Sequence, residues 1–205
     1  MKYPLFYDEV EPILLYDPLS DFLGACEEGK VEIGYLDCVK QAGHSCPTVA
    51  GAYLMAMVGL HLLYGSELPQ RGNIYITMKG KKSEGTIGVI GNIISFIVGA
   101  NGEEGFKGIQ GNFSRNNLIA YDQAMKGEVT LRRIDQNISV SLSYDPSVIP
   151  EDDRVKPLMG KILQGKASDQ DKSLFKALWQ GRVKKILLTE ALRSKMITSE
   201  VYHPS

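Results

Sequence analysis

Apolar and polar positions divide the first third of the chain into helices and one strand. Apolar residues in 8–25 have helical spacing, and Pro18 is expected to split that segment into two short helices. Residues 31–37 alternate between apolar and other positions, which predicts a strand. Residues 47–64 are almost uniformly apolar, with a proline in the first turn and a glycine after the last, and therefore predict a buried helix.

The rest of the chain contains further strands followed by a long helix. Alternation predicts strands at 73–79, 127–134 and 137–144, the last two joined as a hairpin. The run at 85–98 fits either state, because its isoleucines have helical spacing while its β-branched content favours a strand. Residues 169–193 predict an amphipathic helix. This order predicts an α+β fold rather than a regular alternation of strand and helix.

The composition is that of an ordinary globular protein. Of the 205 residues, 43% are hydrophobic and 23% are charged, which provides enough apolar surface for a folded core. A polar, proline-containing passage begins at Pro146. We therefore expect an α+β core at 1–145, followed by a linker and a C-terminal helical extension at 146–205.

Charge and cysteine content indicate which partners to exclude and in which cellular compartment the protein is expected. The chain has 23 Lys and Arg against 24 Asp and Glu, so it lacks the basic excess of a nucleic-acid binder. Three cysteines are too few for a secreted disulfide scaffold, and acidic residues stand where a signal peptide needs its apolar run. The longest apolar run, 49–64, is interrupted by two glycines and a histidine. We expect a cytoplasmic protein that binds neither nucleic acid nor membranes.

The candidate chemistry is concentrated just before the predicted buried helix, in D-C-V-K-Q-A-G-H-S-C-P at 37–47. Cys38, His44 and Cys46 fall within nine positions, and thiolate and imidazole are usual ligands of zinc, although C-x5-H-x-C is no common zinc-finger spacing. Alternatively, Cys46 is a nucleophile activated by the helix start, with His44 as its base. A buried free cysteine beside a hydrogen-bonded loop histidine is the third interpretation.

Two motifs resemble the FmdE-like family, which is named for a component of formylmethanofuran dehydrogenase. G-H-S-C-P at 43–47, followed by an apolar helix, resembles the family signature G-H-x-C-P-G. G-N-F-S-R-N-N-L at 111–118 is similar to its second motif, T-G-C-T-x-G-K-G-N-L, with Arg115 in place of the lysine and Asn117 matching. The resemblance covers about residues 8–145, and the later F-x-x-x-W-Q-x-R-V run also resembles the family's C-terminal segment.

The resemblance implies a fold, a metal and partners. The implied fold is like the catalytic domain of glyceraldehyde-3-phosphate dehydrogenase, with a core of order α-β-α-β-β-β, a mixed sheet and C-terminal helices. The implied cofactor is zinc or another divalent transition metal near the first motif. A homodimer is implied as well, and a molybdenum or tungsten formylmethanofuran dehydrogenase is a candidate partner. Because Ala42 replaces a further family histidine, we expect the metal shell to be His44 and Cys46, with Cys38 at the end of the preceding strand as the third ligand.

The glycine-rich stretch at 99–111 is the second candidate site. Five glycines in thirteen residues allow a backbone to approach a ligand closely. With Lys107, Arg115 and Asn117 nearby, we expect amides and a guanidinium to hold a small anionic or pterin-like ligand. The phosphate-binding glycine motifs of nucleotide-binding proteins are missing. A turn-rich connection with no ligand is the other interpretation.

The preferred hypothesis is a metal-binding protein, with zinc as the expected metal, similar to the FmdE-like family and with a cleft for that ligand. The first alternative is a thiol-dependent enzyme with Cys46 as nucleophile and His44 as base. The second is a non-catalytic accessory protein of a larger assembly, whose metal is structural. The sequence leaves open whether the protein is an enzyme.

Overall fold

A computed structural model describes residues 2–204 and has an α+β fold, as predicted. In chain order its strands and helices are β1 (Ile13–Tyr16), α1 (Pro18–Phe22), β2 (Lys30–Ile33), α2 (Tyr35–Ala42), α3 (Pro47–Tyr64), β3 (Ile74–Met78), α4 (Ile87–Val98), β4 (Ile119–Ala120), β5 (Val129–Arg133), β6 (Ile138–Tyr144), α5 (Val155–Leu163), α6 (Asp169–Leu188), α7 (Arg193–Met196) and β7 (Ile197–Tyr202). Short 3-10 turns connect several of them.

The main sheet has five strands in the order β4-β3-β5-β6-β7. It is mixed, because β3 pairs with β4 in parallel and every other neighbouring pair is antiparallel. A separate antiparallel pair, β1 with β2, lies outside it. From α3 to β6 the order is α-β-α-β-β-β, which is the expected core order, while the likeness to glyceraldehyde-3-phosphate dehydrogenase stays a prediction.

Helix α3 lies at the centre of the core and has the predicted bounds. Gly51 and Gly59 bring it close to the sheet: a Cβ atom at Gly51 would collide with the ring of Tyr144, and one at Gly59 would lie 2.6 Å from Leu131 Cδ1. The helix is long and apolar enough to cross a membrane, but 67% of that window is buried inside the protein. Such burial is typical of the core helix of a folded domain.

The helical prediction for residues 8–25 was wrong over most of its length. Ile13 and Leu15 are buried and Leu14 is exposed, so the alternation of β1 was overlooked in favour of a helical period. Pro12 and Pro18 stand on either side of this strand, and proline interrupts helix hydrogen bonding. Apart from the end of a 3-10 helix at Leu5–Glu9, only α1 is helical in this segment, and its N-cap is Asp17, whose carboxylate accepts two backbone N–H bonds.

The strand predicted at 31–37 was too long. Strand β2 ends at Ile33, and α2 begins directly after Gly34. The Asp37 carboxylate accepts a hydrogen bond from the Gly34 N–H at 3.0 Å, which caps the helix start. Cys38 therefore lies on a helix and not at the end of a strand.

The later elements agree more closely with the sequence. Strands β3, β5 and β6 occupy their predicted segments, α6 begins at Asp169, and the ambiguous run at 85–98 forms α4. The passage expected to be a linker contains α5, which packs on α6. Beyond the expected boundary at residue 145, β7 was also missed, and it pairs with β6 from Ser139 to Tyr144.

Candidate functional site

The first candidate site lies where α2 ends and α3 begins. Gly43 ends α2 with a φ of 74°, a left-handed conformation that turns the chain toward α3. Cys46 is the N-cap of α3 and is 9% exposed. Its Sγ accepts a hydrogen bond from the Val49 N–H at 3.5 Å. The sulfur is thus held at the positive end of the most buried helix in the fold.

His44 and Cys46 face each other. The Nε2 atom of His44 lies 3.3 Å from Cys46 Sγ, and its Nδ1 atom lies 3.0 Å from the carbonyl oxygen of Ala42. A carbonyl oxygen only accepts hydrogen bonds, so Nδ1 carries a proton in this arrangement. In the neutral imidazole, Nε2 then presents its lone pair to the thiol. The imidazole itself is exposed.

Helix α6 holds the loop between these two residues. The Ser45 carbonyl oxygen accepts hydrogen bonds from Trp179 Nε1 at 2.9 Å and Gln180 Nε2 at 3.3 Å. The Ser45 hydroxyl donates to Gln180 Oε1 at 3.1 Å and lies 3.0 Å from the Tyr35 hydroxyl. These supports were not predicted from the sequence, although Trp179 and Gln180 are adjacent on one helix and both carry polar side-chain atoms.

Two tyrosines close the buried side of the site. Burial raises the pKa of Tyr35 and of Tyr144, so both phenols stay protonated at neutral pH. Tyr144 donates its hydroxyl hydrogen to the Pro47 carbonyl oxygen at 3.1 Å, within the first turn of α3. The loop is therefore positioned by neutral hydrogen bonds rather than by ion pairs.

Cys38 does not join this pair in a metal shell. Its side chain is fully buried on α2, and burial together with Asp37 raises the pKa of its thiol to about 12. Within residues 2–204, no group of three or more His, Cys, Asp or Glu is arranged to hold a metal ion. The ligand set of Cys38, His44 and Cys46 is thus not assembled among the described residues.

His44 and Cys46 alone fit two adjacent positions around one ion. Zinc lies about 2.3 Å from sulfur and about 2.0 Å from nitrogen, so two ligands of a tetrahedral site are separated by roughly 3.5 Å. The observed separation of 3.3 Å is close to that value. The remaining ligands of such an ion would have to be water or groups of another molecule.

The three residues expected at the second site do not line a common cavity. Arg115 is 6% exposed, and its guanidinium donates to Asp17 Oδ1 at 2.6 Å and to the Gly99 carbonyl oxygen at 3.4 Å. A cavity of about 360 Å³ has Arg115 in its wall, but it includes neither Lys107 nor Asn117, which are both exposed. Arg115 therefore holds the glycine-rich segment in place rather than presenting its charge to a ligand.

Comparison with known proteins adds no family. No protein-family model and no curated protein matches this chain. The resemblance to the FmdE-like family therefore stays a prediction based on two motifs. The fold and the site together define an α+β protein with a cysteine–histidine pair at the start of its central helix.

Proposed function

We propose that this protein is a thiol-dependent enzyme in which Cys46 is the nucleophile and His44 is its general base. The observation that carries the proposal is the placement of His44 Nε2 at 3.3 Å from Cys46 Sγ while Nδ1 is occupied by the Ala42 carbonyl oxygen. This is the arrangement of a nucleophile, a base and a group that orients the base. Here a backbone carbonyl orients the imidazole.

The proposed step is the attack of Cys46 Sγ on an electrophilic carbon of a substrate. The thiol proton passes to His44 Nε2 as the bond between sulfur and carbon forms, and the resulting imidazolium returns a proton when a leaving group departs. The Val49 N–H donates to the sulfur, and such donors at a helix start stabilise a thiolate. Because His44 is exposed, a substrate can approach the pair from its side.

Metal binding by the same pair is the second candidate. It is supported by the separation of the two side-chain atoms, which suits neighbouring ligands of one zinc ion. The described residues offer no third ligand of the usual kinds, and structural zinc sites normally have four. This difference in ligand number is why the thiol mechanism is preferred.

Alkylation by iodoacetamide at neutral pH tests the proposal. We expect one fast-reacting thiol, lost in Cys46→Ser, and a rate at least about tenfold lower in His44→Ala because the base is removed. His61→Ala is the matched control, since His61 is also exposed but lies near the other end of α3. Equal rates in the two histidine variants would show that His44 does not activate the thiol.

Elemental analysis of the same samples addresses the second candidate. One equivalent of zinc per chain, lost in both Cys46→Ser and His44→Ala, together with alkylation that becomes fast only after chelation, would favour metal binding over the thiol mechanism. Fast alkylation of a zinc-free wild-type protein would favour the thiol mechanism.

A further inference from the structure

A second, polar cleft of about 340 Å³ is formed by five separate segments of the chain. They are the end of α2, the turn before α4, one face of α4, the glycine-rich segment, and the stretch from β4 to Tyr121. The polar side chains that define it are Gln41, Lys82, Asn92, Asn101, Glu104 and Tyr121. Polar groups that converge in a cleft can fix the orientation of a small ligand.

Helix α4 turns its only polar side chains toward this cleft. Its sequence, I-G-V-I-G-N-I-I-S-F-I-V, is otherwise apolar, and Asn92 and Ser95 both line the cleft. Two glycines on the helix allow close packing around it: a Cβ atom at Gly91 would collide with the Tyr121 hydroxyl, and one at Gly88 would lie 2.5 Å from the Lys82 carbonyl oxygen. The two glycines therefore allow Tyr121 and the backbone of Lys82 to pack directly against α4.

Most polar side chains of the cleft, those of Gln41, Lys82, Asn92, Asn101 and Glu104, are exposed to solvent. Within residues 2–204, the side chains of Gln41, Asn92, Asn101 and Glu104 make no hydrogen bond or ion pair with another described residue. The Tyr121 hydroxyl is likewise without a hydrogen-bond partner there. This contrasts with Arg115, whose donors are bonded to Asp17 and Gly99. Free donors and acceptors in a cleft are available to a ligand.

Opposite charges stand near the Tyr121 ring. Lys82 Nζ lies 5.8 Å from the ring centroid. Burial raises the pKa of Tyr121, and the Glu104 carboxylate adds to that rise, which places negative charge near the phenol. Lys82 and Glu104 form no ion pair with each other in the described part of the chain. Lys82 is thus in cation–π contact with Tyr121, and neither it nor Glu104 has an ion-pair partner within residues 2–204.

We propose that this cleft binds a small zwitterion, a free α-amino acid, with its carboxylate toward Lys82 and its ammonium toward Glu104. The carboxamides of Gln41, Asn92 and Asn101 would hydrogen-bond a polar side chain of that ligand. The cleft volume is near the lower end of the range for small-molecule sites. The proposal concerns binding alone and is independent of the reactivity of Cys46.

Calorimetric titration of the full chain with L-glutamine, to about 10 mM, tests the proposal. We expect one site per chain, and binding about tenfold weaker for N-acetyl-L-glutamine, which lacks the ammonium, and for L-glutamine amide, which lacks the carboxylate. Comparable affinity for either analogue would overturn the zwitterion assignment. A lack of binding by all three compounds would overturn the site.

Two pairs of variants locate the binding. Lys82→Gln and Glu104→Gln should each weaken L-glutamine binding about tenfold. Their neighbours provide matched controls, because Lys81 and Glu103 are also exposed but lie outside the cleft; Lys81→Gln and Glu103→Gln should change affinity by less than about twofold. Thermal unfolding verifies that all four variants are folded. Equal weakening by a control and its partner would overturn the assignment of the charges.

Discussion

The segment at 43–47 and the segment at 99–118 both carry motif residues, but they use their polar atoms in opposite ways. In the first, the His44 imidazole is exposed and directed at the sulfur of Cys46. In the second, Arg115 is buried and bonded to Asp17, a residue 98 positions earlier in the chain. Arg71 donates to the other carboxylate oxygen of Asp17 at 2.9 Å.

The difference between His44 and Arg115 shows that a motif residue whose donors already bond other residues of the protein, as those of Arg115 do, is not available to a ligand. A buried guanidinium requires a partner, because an unpaired charge in a protein interior is costly. Burial lowers the pKa of Arg115, while Asp17 opposes that effect. The Asp17–Arg115 pair thus connects the start of α1 to the glycine-rich segment, whereas in the 43–47 segment Cys46 is buried and the His44 imidazole beside it is exposed.

The largest expected effect is that of removing Asp17, which should lower stability without changing the reactivity of Cys46. Asp17→Ala leaves Arg115 without its carboxylate and removes the N-cap of α1. We expect the free energy of unfolding to fall by about 3–5 kcal/mol, because breaking a buried ion pair strands a charge. Urea denaturation measures this loss, and alkylation of the folded variant should still show a wild-type rate at Cys46.

Asp8→Ala is the control for this comparison, since Asp8 is an exposed carboxylate in the N-terminal 3-10 helix. It should change the free energy of unfolding by no more than about 0.5 kcal/mol. A loss below about 1 kcal/mol in Asp17→Ala would show that the cluster is not structural. Slower alkylation of folded Asp17→Ala would show that the two regions are coupled.

The sequence predicted those features that depend on residues close together in the chain. The bounds of α3 follow from Pro47, Gly65 and the apolar run between them, and the proximity of His44 and Cys46 follows from their spacing before that helix. The β2–α2 boundary was missed because alternation continues past Ile33.

Long-range partners explain most of what the sequence did not reveal. Ser45 meets Trp179 across 134 positions, and no local pattern indicates that contact. The role of Arg115 likewise depends on a distant carboxylate: its charge suggested a ligand contact, whereas its guanidinium donates to Asp17 and Gly99. Cys38 was predicted at the end of a strand but lies on α2, and within residues 2–204 no group of three or more His, Cys, Asp or Glu is arranged to hold a metal ion.

The two cysteines also differ in their surroundings, and the burial of Cys38 predicts that the free energy of unfolding depends on pH. Burial raises the pKa of Cys38 to about 12 from its ordinary value of 9.0. Between these values the unfolded chain loses a proton that the folded chain keeps, so raising the pH favours unfolding. Stability from this group is complete below about pH 9 and is lost as the pH rises toward 12.

Cys38→Ala should therefore flatten the fall of stability in alkali. The slope contributed by one such group is at most about 1.4 kcal/mol per pH unit, and urea denaturation from about pH 8 to 11 measures it. Val39→Ala, at a neighbouring buried position, should lower stability at every pH and keep the wild-type slope. Identical slopes in both variants would mean that Cys38 does not retain its proton.

The smallest effect is expected from removing one of the neutral hydrogen bonds that position the loop between His44 and Cys46. Trp179→Phe removes the N–H donor to the Ser45 carbonyl oxygen, while Gln180 keeps its own bond to the same atom. We expect a loss of about 1 kcal/mol in the free energy of unfolding and a fall of about two- to threefold in the alkylation rate of Cys46, because the loop positions the imidazole less tightly. Phe175→Leu, one turn earlier on α6 and in contact with the Trp179 ring, is the control for lost packing and should leave the rate unchanged. A lower rate in both variants would attribute the effect to packing of α6 rather than to the hydrogen bond, and an unchanged rate in both would mean that His44 and Cys46 are held by α2 and α3 alone.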